Sequence, residues 1–183
     1  MSIEEIAAEI KDCKRCSLWE TRNRAVPGRG DVHAEIMMIG EAPGKKEDEL
    51  GMPFTGAAGR ILDEMLAQAD LKRDEIFITS VIKCRPPKNR NPKAEELLAC
   101  GTHLKKQVSS IKPKIICILG NVALHMLIEP NLPIGSVRGR ILKKEHQRYY
   151  PVYHPAAVLY NRNLEEVLRK DFEALPKLVN DIR

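Results

Sequence analysis

The chain has 183 residues, enough for one domain with a full core. With 43% hydrophobic and 30% charged residues, it fits neither the disordered nor the collagen-like class. No apolar run approaches the ~18 residues of a membrane span, and Met1 to Lys11 alternates acidic and apolar residues, unlike a secretory leader, so a soluble, cytoplasmic monomer is expected. The net charge of +5 is uneven: residues 1–100 hold 16 Lys/Arg against 18 Asp/Glu, and residues 101–183 hold 14 against 7.

Ser2-x-x-Glu5 forms a capping box ahead of Ile3, Ile6, Ala7 and Ile10, which predicts a short helix leading into Cys13 and Cys16. Glu35 to Ile39 reads as a buried strand. A glycine-punctuated loop follows, then a helical stretch whose Ile61, Leu62, Met65, Leu66 and Ala69 share one face. Ile76 to Val81 predicts a second strand, Ala94 to Ile111 a second long helix, Ile115 to Leu119 a third strand and Asn121 to Ile128 a short helix. Tyr149 to Tyr153 predicts a fourth strand, and Leu164 to Ile182 a terminal helix that Pro176 could bend. There is no repeat, linker or low-complexity run.

Strands alternating with helices pair in parallel through right-handed crossovers. The predicted fold is a three-layer α/β/α domain around a four-stranded parallel sheet. Ligands of such sheets bind beyond the carboxyl ends of the strands. The unusual local chemistry falls there: GEAPG after the first strand, Ser80 to Arg85 at the second, Gly120-Asn121 after the third and His154-Pro155 after the fourth.

An odd count of five cysteines disfavours structural disulfides and favours metal or cluster ligation. Cys13-x2-Cys16, then Cys84 and Cys100, supply four soft ligands. Cys117, inside IICIL, reads as a small buried apolar residue. Spacing does not separate a four-thiolate zinc site from a [4Fe-4S] cluster. The block Lys83, Arg85, Lys88, Arg90 and Lys93 contains no acid, and with the basic C-terminal half it offers a polyanion two surfaces if they share a face. Lys83 and Arg85 are the phosphate-contact candidates.

Taken together, GEAPGKKEDELGMPFTGAAGRIL, KCRPPKNRNP and HPAAVLYN resemble the iron-sulfur uracil-DNA glycosylases of the family-4 type, over nearly the whole chain. The resemblance implies a glycosylase fold and a [4Fe-4S] cluster on Cys13, Cys16, Cys84 and Cys100, with zinc the less favoured occupant. It also implies DNA carrying uracil or another deaminated base as substrate, cut at the N-glycosidic bond.

A stacked base is out of reach, so such enzymes extrude it into a pocket. Phe54 can stack on the flipped base. His154 can donate to the pyrimidine oxygen as the departing base gains charge, and the resemblance brings the backbone of Gly40, Glu41 and Ala42 against the uracil. Ala42 stands near where the best-known branch of these glycosylases has a water-positioning aspartate, leaving Glu41 or Glu47 for the water. Leu159, with Val158 and Tyr160 as alternatives, could fill the gap left by the flipped nucleotide. Ser80 departs from the family's usual asparagine, and one hydroxyl does not reproduce a two-point amide contact, so hypoxanthine or xanthine competes with uracil as the expected base. The competing class is a non-catalytic four-cysteine protein that binds damaged or single-stranded DNA; His154 in its HP loop argues for the enzyme. Nucleotide binding through GEAPG lacks a Walker lysine-serine pair or GxGxxG.

Overall fold

The computed structural model describes residues 1–182. In chain order the elements are α1 (Ile3–Lys11), β1 (Ile36–Gly40), α2 (Lys45–Leu50), α3 (Ala57–Gln68), β2 (Phe77–Ser80), α4 (Ala94–Ile111), β3 (Ile115–Leu119) and α5 (Asn121–Leu127). They continue with α6 (Ile134–Val137), β4 (Leu142–Lys144), β5 (Gln147–Val152), α7 (Ala156–Tyr160) and α8 (Glu165–Asn180). The Ser2–Glu5 capping box forms in both directions and starts α1.

The sheet has five strands in the order β2-β1-β3-β5-β4, with β4 antiparallel to β5. This corrects the expected four-stranded parallel sheet. The extra strand is a three-residue edge, Leu142-Lys143-Lys144, too short and too charged to show an apolar run, and its lysines leave the open edge unattractive for further pairing. The four remaining strands are parallel to their neighbours, as expected. Helices α2, α6 and α7 also appear where no helix was predicted. Pro176 sits inside α8 without ending it.

Side chains alternate between two apolar layers. Ile36, Met38, Ile78, Cys117 and Val152 face α3 and α8, whereas Met37, Ile39, Phe77, Ile116 and Ile118 face α1, α4 and α5. Cys84 and Cys100 belong to the second layer, so the sheet separates them from Cys117, which is wholly buried. Among the described residues no helix is long and apolar enough to cross a membrane.

The basic C-terminal half is divided between the two ends of the sheet: Arg140 lies near the carboxyl end of β5, where Gly139 N–H donates to the Pro151 carbonyl, and Arg162 follows α7. Lys112 and Lys114, which precede β3, and Lys143, Lys144 and Arg148, at the amino end of β5, gather at the end opposite the HP loop. Part of it is paired there, Lys114 with Glu35 at 2.5 Å.

Candidate active site and four-cysteine pocket

β1 and β2 end side by side. Gly40 lies in register with Ser80, and the ladder runs past the strands: Val81 N–H donates to the Gly40 carbonyl at 3.0 Å and Ile82 N–H to that of Glu41 at 3.1 Å. The sheet itself therefore holds Gly40, Glu41 and Ser80. The side chain of Ser80 reaches over Gly40, its Oγ 3.5 Å from where a Cβ on that glycine would stand.

Phe54 is 8% exposed and has φ 50°, a left-handed conformation that non-glycine residues rarely take. Two close approaches impose it. A Cβ at Gly40 would lie 2.8 Å from the ring Cζ, and one at Gly59 would lie 2.0 Å from the Phe54 carbonyl oxygen. The ring is stacked near His154, with centroids 5.6 Å apart and planes at 27°.

His154 leaves the end of β5 beside Gly120, whose φ of 92° and missing side chain make room for it: a Cβ there would fall 2.9 Å from the histidine's own. Its Nδ1 accepts from the Ala156 N–H at 3.0 Å, which fixes the ring and leaves the proton of the neutral imidazole on Nε2. Burial pushes the His154 pKa down to about 4, so at neutral pH it is an uncharged donor. Burial also raises the carboxyl of half-buried Glu41 above its ordinary range. Glu47 is folded against Gly44 and Gly56, which precede α2 and α3, where its charge suits the amino end of a helix. Ala42 brings no polar side chain.

Lys83 requires a correction. It is 1% exposed, its Nζ donating to Thr79 Oγ1, the Ser80 carbonyl and Gln107 Oε1 at 2.6–2.7 Å, and burial pushes its ammonium down to about 7. An ammonium enclosed in this way does not reach a phosphate. Arg85 is half-buried, its Nε donating to Asn89 Oδ1 at 2.7 Å, and it begins an exposed loop with Lys88. Of the wedge candidates, Val158 is fully buried, whereas Leu159 is 46% and Tyr160 90% exposed.

Cys13, Cys16, Cys84 and Cys100 line one pocket beside this site. Arg22 Nη1 donates to Cys84 Sγ at 3.1 Å, and Lys83 N–H to Cys100 Sγ at 3.3 Å. Burial raises both thiols, Cys100 to about 11. Among the described residues no three His, Cys, Asp or Glu side chains converge closely enough to hold a single ion. The sequence reading missed Gly59, Arg22 and His103. Of these, His103 alone left a signal, three residues after Cys100 and therefore on the same helix face.

An aromatic ring and a neutral histidine thus meet at the carboxyl edge of the sheet, where ligands of such folds bind. The family description "Uracil DNA glycosylase superfamily" matches residues 27–183, and the chain belongs to that superfamily. It is 45% identical over 186 residues to the type-4 uracil-DNA glycosylase of Sulfurisphaera tokodaii, covering 97% of this chain and 84% of that protein. It is 42% identical over 188 residues to that of Saccharolobus solfataricus (98% and 87%) and 42% over 187 residues to that of Archaeoglobus fulgidus (97% and 93%).

Proposed function

We propose that this protein is a uracil-DNA glycosylase of base excision repair, carrying a [4Fe-4S] cluster on Cys13, Cys16, Cys84 and Cys100. The observation that carries the enzymatic reading is His154, neutral, half-buried and oriented by the Ala156 N–H, beside the Phe54 ring. Phe54 stacks on the extruded base, and the Gly40–Ala42 backbone and Ser80 contact its edge. As the glycosidic bond breaks, the electron pair moves onto the base and His154 Nε2–H donates to the charged pyrimidine oxygen. Such preorganised donors are worth about 10²–10³ in rate. Glu41, half-buried and directly after Gly40 at the end of β1, orients the attacking water, whereas Glu47 lies against Gly44 and Gly56. Leu159 fills the vacated stack, while Arg85 and Lys88 meet the backbone phosphates.

The thiol set fits a cluster better than zinc. Zinc draws four thiolates to one point at ~2.3 Å, whereas a cubane is held by one thiolate on each iron; the pocket lined by the four cysteines without a single-ion cage supports the cluster. When bound, the cluster supplies no redox step to excision; it joins the N-terminal segment to the chain after β2.

The test is incubation of iron-loaded protein with duplexes bearing uracil, hypoxanthine or xanthine, followed by alkaline cleavage. Strand breaks at uracil support the reading. Binding without breaks on any duplex overturns it in favour of a non-catalytic DNA-binding protein.

A further inference from the structure

We propose that His103 donates a ring N–H to sulfur of the four-cysteine cluster and thereby governs how firmly the cluster is held and how readily it is reduced. The inference rests on the cluster reading above. His103 is 1% exposed, and among the described residues its Nδ1 and Nε2 are the buried side-chain nitrogens or oxygens without a hydrogen-bond partner. Buried polar groups are rarely left so, and each exception requires a physical reason.

The surroundings favour one partner. His103 lies one helical turn beyond Cys100 on α4, so the two share a face, and it lines the same pocket as the four cysteines. The nearby polar side chains are already engaged: Arg15 with Thr102, Lys106 with Glu9, and Lys83 with Thr79, Ser80 and Gln107. Arg15, Lys83 and Lys106 are donors and offer the imidazole N–H nothing. Glu9, the carboxylate near His103, is partly exposed, paired with Lys106 and outside the pocket lining, whereas the side-chain acceptors that line the pocket with the imidazole are the cysteine sulfurs. Cys84 and Cys100 already receive donors from Arg22 and from the Lys83 backbone, and His103 adds a third from α4. Hydrogen bonds to sulfur are a principal means by which proteins set cluster potential, and the second layer around a metal affects its retention. A leucine would pack the same space without an orphaned dipole, so mere packing does not account for histidine here.

The test compares iron-loaded wild type with His103→Leu and His103→Gln. Iron and sulfide per chain are measured first, then iron release to a chelator and the midpoint potential. All three proteins are expected to carry the same iron. His103→Leu should release it about ten- to a hundred-fold faster and have a lower reduction potential, with His103→Gln, which keeps an N–H, lying between. Unchanged release and potential in His103→Leu overturn the inference. A folded His103→Leu protein without iron also overturns it, making the residue a ligand. Zinc in place of iron in the wild type overturns the cluster reading itself, before any variant is compared. A further measurement needs no substitution: pulsed EPR of reduced wild type with ¹⁵N-labelled histidine should show a weak histidine nitrogen coupling, and its absence overturns the proposal.

Discussion

The base site and the cysteine pocket adjoin along Ser80 to Cys84, yet they are built in opposite ways. The base site is finished by backbone: strand register holds Gly40 and Ser80, glycines admit Phe54 and His154, and an amide orients the histidine. The cysteine pocket is made of side chains from three separate segments and contains four raised or unpaired thiols and an orphaned imidazole. Backbone can preorganise a catalytic donor without help. A set of converging thiols gains its binding energy from the metal, so its geometry and its stability are linked.

The sharpest way to break this contrast is at the cysteines. Cys84→Ser should lose the cluster and lower the melting temperature, while Cys117→Ser, on the other side of the sheet, should keep its full iron content. Equal loss in both variants would mean that the ligands are misassigned. Glu41→Gln should lower excision about a hundredfold if Glu41 directs the water. Its raised carboxyl pKa sets the sign: as pH falls through that value the base is protonated and wild-type excision declines, whereas the Gln variant's residual rate stays flat there. A parallel decline in both would remove Glu41 from that role.

Smaller effects separate the two lysine-arginine neighbours. Arg85→Ala should reduce the salt dependence of DNA binding by about one ion. Lys83→Met should leave that slope unchanged and destabilise the fold, because it strips three buried hydrogen bonds, two to β2 and one to α4. A change in slope at Lys83 would restore it to the DNA surface. The mildest change is Ser80→Asn, which should raise excision of uracil relative to hypoxanthine by adding a two-point contact. An unchanged ranking of bases would show that position 80 does not read the base.

What could be read directly from the sequence were elements whose signal is local. The apolar run Ile115–Leu119 and the helical period from Ala94 to Ile111 form with the expected bounds. The carboxyl edge of the sheet was legible too, because GEAPG, Ser80 and the HP loop each follow a strand. α2 was hidden because Lys45-Lys46-Glu47-Asp48-Glu49-Leu50 has no apolar face; its tie to the fold is Asp48, 2% exposed, accepting from Asn23. Lys83 was misread because its burial depends on Thr79 and on Gln107, 24 residues away. Net charge left the second basic surface open for a related reason: composition counts lysines and arginines but does not say which end of a strand carries them, and here they divide between the two ends.

The measurement that tests the account most directly is single-turnover excision from a uracil duplex by wild type and His154→Ala, with iron content and DNA affinity determined on the same samples. The account predicts a rate about two to three orders of magnitude lower, with the cluster intact and affinity little changed, because the histidine acts on the departing base and not on the backbone. Wild-type excision rates in His154→Ala would contradict it, since the account rests the charge developing on the departing base on this one oriented donor.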